Sequence, residues 1–358
     1  MAEWITIEIG MTLAAIAAWP IFVWSFRNLP LERWQFAAIL PNPSGGRSDG
    51  HWIGTNITFY GVISAAAYVV ATAMFIFLCG SVAQPLWGTV VFIATLLAAC
   101  IPASKLVARW VEGGNVNFTV GGAAFAATLL LPAAVYLART VATMTDASGS
   151  RFDAAALIAA AGLAYVLGEA IGRLGCLSFG CCYGRPISAV GALQRALYGP
   201  SATTYRGQFK KISYASNLEN TPVVPVQSIA SVVLFALFLI GLWLYWQQRF
   251  VASALIAVWG SQLWRVYSET LRADYRGGGK FTAYQWMAAA TCVLATLSVG
   301  MLASDSSSQP RFTQGWASVS QLEVFIALQG LALGIVWFMG RSQVTGALVN
   351  LRLFRDRL

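Results

Sequence analysis

Residues 154–175 read AAALIAAAGLAYVLGEAIGRLG, and Glu169 and Arg173 are the only charges in the run. About 20 mostly apolar residues are what a helix needs to cross the hydrocarbon core of a bilayer. A soluble helix would set a charged face against an apolar stripe. This run is small and apolar all round. Similar stretches occur at about 5–26, 57–79, 86–107, 118–138, 225–246, 251–271, 281–303 and 321–340. With 154–175 they make nine apolar segments. Trp24, Trp87, Trp110, Tyr245 and Trp246 lie near segment ends, where interfacial belts form. The chain reads as all-α, a polytopic transmembrane helical protein.

Composition agrees. Of 358 residues, 10% are charged and 58% apolar, whereas a soluble domain carries about 25% charged residues. So few charges cannot cover a soluble globule, but lipid as solvent lets apolar side chains face outward. The net charge of +9 points to anionic headgroups rather than nucleic acid, because Lys and Arg sit mostly in loops and after Arg341. Pro20 is a kink candidate in the first segment. Glu3 and Glu8 argue against a cleavable signal there.

The ionisable residues inside the apolar segments carry the chemistry. Glu169 and Arg173 are four apart, as are Arg265 and Glu269, so each pair shares a helix face. A charge at a helix centre costs about 2.5–3.5 kcal/mol and normally faces a partner or a watery cavity. Either the two pairs merely neutralise themselves, or they line a polar site. Arg grips phosphate with a planar fork of donors. Between the fifth and sixth segments, residues 176–224 carry Arg185, Arg195, Arg206, Lys210 and Lys211 against Glu219. This stretch reads as a headgroup surface or as a solvated loop.

Cys176, Cys181 and Cys182 follow the Arg173 helix. A thiolate near Arg173 is a candidate nucleophile. The alternative is small residues packing beside Gly180 and Gly184. The spacing matches no standard zinc pattern, so no metal is expected, and no cofactor. His51, the only histidine, precedes the second segment. Gly113-Gly114 through Gly121-Gly122 is a tight entry into a helix and fits no phosphate-binding loop.

At these residues the chain resembles the prolipoprotein diacylglyceryl transferase family. Gly172-Arg173-Leu174-Gly175-Cys176-Leu177-Ser178-Phe179-Gly180-Cys181-Cys182-Tyr183-Gly184 is similar to the family signature G-R-x-G-N-F-x-N-G-E-x-x-G. Phe59-Tyr60-Gly61, Pro225-Val226-Gln227 and the stretch from Arg265 through Glu269 and Arg272 to Asp274 match further motifs in order. The departures are as specific. Val120 stands where the family has a histidine before two glycines, Cys176 and Phe179 replace its asparagines, and Cys181 replaces its glutamate. Ile229 stands where a tyrosine follows the P-x-Q motif.

The resemblance implies a seven-helix diacylglyceryl-transferase-like core over 57–303, with residues 176–224 outside the membrane. An extra helix and loop (1–56) would precede it. An extra helix and basic tail (304–358) would follow. The family moves the diacylglyceryl group of phosphatidylglycerol onto a prolipoprotein cysteine, in the bacterial inner membrane. By position, Arg173, Arg265 and Glu269 are catalytic, the arginines holding the lipid phosphate. Tyr60, Gly121, Gly122, Gln227 and Arg272 bind substrate. Cys176, Cys181 and Cys182 are candidate nucleophiles. The altered polar set keeps a second reading open, a non-catalytic phospholipid-binding or lipid-translocating protein. An ion or solute transporter ranks behind both. Family orientation and the positive-inside rule point opposite ways for the signature loop.

Overall fold

A computed structural model describes residues 2–39, 47–48, 51–52, 55–112, 119–145, 152–274, 281–302 and 308–341. The stretch 113–118 and the basic tail after Arg341 lie outside the described residues. Nine long helices occupy the nine apolar segments. They are α1 (Ala2–Asn28), α2 (Phe59–Ser81), α3 (Leu86–Glu112), α4 (Val120–Thr145), α5 (Ala154–Phe179), α8 (Val226–Trp246), α9 (Phe250–Leu271), α10 (Ala283–Leu302) and α12 (Leu322–Gly340). Three short helices complete the described set: α6 (Ala192–Tyr198), α7 (Lys211–Ser216) and α11 (Phe312–Val319). Among the described residues strands are limited to short antiparallel pairs, the longest being Gln35–Ile39 with Thr55–Thr58. His51–Trp52 pairs with Arg47–Ser48.

Eight of the long helices are apolar and long enough to cross a membrane. The protein is a multi-pass membrane protein. The ninth, α9, differs from the expectation of nine apolar spans. It has 22 residues, but Ser253, Ser261, Gln262, Arg265 and Ser268 are all buried along it. It packs against α5, α8 and α10, so its polar face meets protein and not lipid, the position that ionisable residues in a membrane require.

Helix α5 is the hub. Some 67% of its apolar stretch is buried, against 6–44% for the other seven spans. Its buried face is largely alanine, including Ala154, Ala155, Ala156, Ala159, Ala160 and Ala164. Small side chains let neighbouring backbones approach, which is how helices associate where water supplies no driving force. Hydroxyls add polar links. Ser231 Oγ donates to the Ala170 carbonyl at 2.5 Å, and Tyr245 Oη to the Leu78 carbonyl at 2.9 Å. At the entry of α5, Asp153 Oδ1 accepts from the Ala156 amide at 2.9 Å, an N-cap. At the exit, Gly180 adopts φ 68°, the left-handed cap that glycine takes most easily.

The stretch 180–225 is a folded head rather than a bare loop. It holds α6, α7 and the strand pair Thr203–Thr204 with Pro222–Val223. Tyr183, Tyr205, Ile212 and Val223 form its core together with Phe22 and Leu29 from the end of α1. The basic surface read from the sequence is partly interior. Lys210 is fully buried, and its Nζ donates to the Leu29 carbonyl at 2.9 Å and the Ser178 carbonyl at 2.6 Å. Arg195 spends its donors on the carbonyls of Ile187, Ser188 and Val190.

Candidate functional site

Three residues on one face of α5 begin the site. Tyr165, Glu169 and Arg173 follow one another at intervals of four, so they stack along the helix. Arg265 faces them from α9. Glu169 Oε1 accepts from Nη2 of Arg173, one turn on, and from Nη2 of Arg265 at 2.8 Å. Tyr165 Oη accepts from Arg265 Nη2 at 3.2 Å. One carboxylate thus joins two guanidinium groups carried by separate helices. The three side chains are 6–13% exposed, with Arg173 the most open.

The charge count decides what this cluster can bind. Two guanidiniums against one carboxylate leave one net positive charge in a shielded place. Arg173 Nε, Arg265 Nε and Glu169 Oε2 are buried and have no hydrogen-bond partner among the described residues. Buried polar atoms are normally satisfied by protein, water or ligand. The cluster has spare donors and spare positive charge, the requirements of an anion site.

The two pairs do not simply neutralise themselves, one of the two alternatives the spacing left open. Arg265 and Glu269 share a helix, but Arg265 turns to Glu169. Glu269 lies 3.7 Å from Arg272. Arg272 in turn makes two bonds to Asp274, Nε to Oδ1 at 2.7 Å and Nη2 to Oδ2 at 2.5 Å. Glu269 and Arg272 therefore belong to a second cluster at the end of α9. Four-residue spacing places two residues on one face; it does not say which neighbouring helix supplies the partner.

The other expected residues divide. Gly121 is at the arginines. A Cβ there would lie 3.4 Å from Arg265 Nη1 and 3.0 Å from the Tyr284 ring. Gly122 is not, since it faces Val107 and Thr119 and serves the contact between α3 and α4. Tyr60 lies against Phe179, with ring centroids 5.6 Å apart, and against Gly175. Gln227 is buried and donates from Nε2 to the Cys181 carbonyl at 2.7 Å, which fixes the signature turn. Cys176, Cys181 and Cys182 come together, with their sulfurs within 4.8 Å of one another, and none is in a disulfide.

Backbone joins the two clusters. The amide of Arg185 donates to the Leu271 carbonyl at 2.8 Å, and that of Ala273 to the Tyr183 carbonyl at 3.1 Å. The signature turn and the end of α9 are thus stitched together. Tyr165 and Gln262 went unread in the sequence, and Asp274 was read only as the end of a motif, without a site role. Tyr165 had a signal, a hydroxyl one turn before Glu169. Gln262, which donates to Tyr165 Oη at 3.5 Å, stands three residues before Arg265.

The profile of the prolipoprotein diacylglyceryl transferase family matches residues 51–301. The chain belongs to this family. Comparison with curated proteins gives no match. The family region takes in α2 to α10, the head and every residue of both charged clusters. It leaves out α1 and α12.

Proposed function

We propose that this protein is a bacterial inner-membrane transferase that moves the diacylglyceryl group of phosphatidylglycerol to an acceptor thiol, by family resemblance the cysteine of a prolipoprotein. The observation that carries the reading is the convergence of Arg173 and Arg265 on Glu169, with one positive charge in excess and unpartnered buried donors. The lipid enters sideways from the bilayer. Its phosphate lies against the two guanidiniums, beside Gly121, where the absence of a Cβ keeps Arg265 accessible. The acceptor sulfur, as the thiolate with its proton released to water, attacks the glycerol carbon of the diacylglyceryl group. A sulfur–carbon bond forms, the carbon–oxygen bond to phosphate breaks, and the phosphate oxygen keeps the electron pair.

Glycerol phosphate leaves with one more negative charge than the bound phosphodiester group had. The arginines stabilise that charge as it develops, and in a water-poor site such fixed donors are worth most. Glu169 is engaged by both guanidiniums and holds them at a common spacing; it is not the proton acceptor.

The test is incubation of purified protein, in bilayers containing phosphatidylglycerol, with a lipobox-cysteine peptide. The expected products are free glycerol phosphate and a peptide carrying a thioether-linked diacylglyceryl group. Arg173→Lys and Arg265→Lys lower turnover by about 10²–10³-fold, the loss typical of one oxyanion donor. Full activity in both variants overturns the mechanism. The altered family positions support a second reading, a phospholipid binder without turnover. In that case phosphatidylglycerol co-purifies and no glycerol phosphate is released.

A further inference from the structure

The three cysteines have no part in the mechanism above, yet the fold invests in bringing them together. Their linear spacing, four residues and then none, matches no metal motif. The turn changes that. Cys176 sits in the last turn of α5, Gly180 reverses the chain at φ 68°, and Cys182 itself lies in the left-handed region at φ 58°. A non-glycine residue held there costs on the order of 1–3 kcal/mol and persists only where its surroundings impose it. Here Gln227 holds the Cys181 carbonyl, and the Gly180 carbonyl accepts from the Ile212 amide at 3.0 Å.

The result is three sulfurs within 4.8 Å of one another, half-buried, at the end of the helix that carries Arg173. Sulfurs bound to zinc at about 2.3 Å stand about 3.8 Å apart in a tetrahedral site, so a contraction of about 1 Å would complete the set. Three thiolates around a divalent ion carry a net charge of −1. Three protein ligands with the fourth place open is the pattern of catalytic, not structural, zinc.

We propose that Cys176, Cys181 and Cys182 form a three-thiolate site for a zinc-class ion, and that the open fourth place takes the acceptor thiol of the transfer reaction. The second half rests on the transferase reading. The acceptor thiol loses its proton to water on coordination, because a coordinating thiol is deprotonated outright. The bound thiolate then attacks the glycerol carbon beside Arg173 and leaves the metal as the thioether. This supplies the activated sulfur in a chain where Val120 stands in place of the family histidine.

The test uses the full chain in nanodiscs, stripped with chelator and titrated with Co²⁺ as the spectroscopic stand-in and with Zn²⁺. One ion binds per chain, with sulfur-to-cobalt charge-transfer bands. Cys181→Ser and Cys182→Ser weaken binding by more than about tenfold, since losing even an outer-shell partner costs 10–100-fold. Cys100→Ser, away from the cluster, keeps it. Wild-type protein that is monodisperse and binds neither ion, or that binds only Cu⁺, overturns the zinc assignment without recourse to any variant.

A lipobox-cysteine peptide added to the cobalt form shifts the ligand-field bands, and its Ser analogue does not. No shift overturns the acceptor half. Metal binding without glycerol phosphate release sinks the transferase reading and leaves the metal site standing. Transfer that survives chelation and Cys182→Ser unchanged overturns the acceptor half and leaves the transferase reading standing.

Discussion

At the residue scale, Glu169 is the most consequential side chain. It is the one carboxylate between two buried guanidiniums, and removing one partner of a buried pair costs about 3–5 kcal/mol because a charge is left uncompensated. Glu169→Ala lowers the melting temperature of the detergent-solubilised protein. Phosphatidylglycerol restores part of that loss and phosphatidylcholine restores less, because only the former brings net negative charge to the arginines; equal rescue by both lipids would remove the anion-site reading.

Lys210 provides a second test at this scale. Burial pulls its amine down to about 7. Its two carbonyl partners need only two donors, which the neutral amine retains. Between that value and its ordinary 10.5 the unfolded chain binds the proton and the folded chain does not, so this group favours folding more as pH rises through the window. Thermal melts from about pH 6 to about pH 10 show that gain in the wild type and lack it in Lys210→Met. A parallel rise in the variant would mean the amine is not the source.

At the element scale, α2 and α12 meet at a pair of glycines. A Cβ on Gly61 would fall 2.0 Å from the Cα of Gly340, so even alanine forces the helices apart. Overpacking of this kind costs about 1–3 kcal/mol. Gly61→Ala exposes the connection between α11 and α12 to limited proteolysis, while the wild type resists. Equal cleavage would show that α12 is held elsewhere. The element scale is also where the sequence was most legible. All nine segments became helices, because the length of an apolar run is set by bilayer thickness. The exchange of partners between α5 and α9 was not legible, since helical periodicity gives a face and leaves the neighbour open.

At the scale of the whole molecule, the segment that follows α1, residues 29–33, is tied to the site although it lies outside the family region. The carbonyl of Leu29 receives Lys210, that of Pro30 receives the Arg206 amide at 3.0 Å, and that of Arg33 receives Ser178 Oγ at 2.9 Å. Ser178 is part of the signature turn. Residues 51–301 expressed without α1 therefore lose the packing of the head. Hydrogen exchange at 205–213 accelerates in the truncated protein relative to the full chain. Unchanged protection there would show that the head folds by itself.

Apolar length, the ionisable residues within it and four ordered motifs were enough to establish a helical membrane protein of this family and to single out Arg173 and Arg265, because lipid tolerates so few alternatives. Tertiary structure alone decided that the two arginines share Glu169, that Glu269 and Arg272 form a separate cluster with Asp274, that Lys210 is interior and that three cysteines converge. Those outcomes depend on how helices rotate and cross against one another, and side chains far apart in the chain meet only after that packing is made.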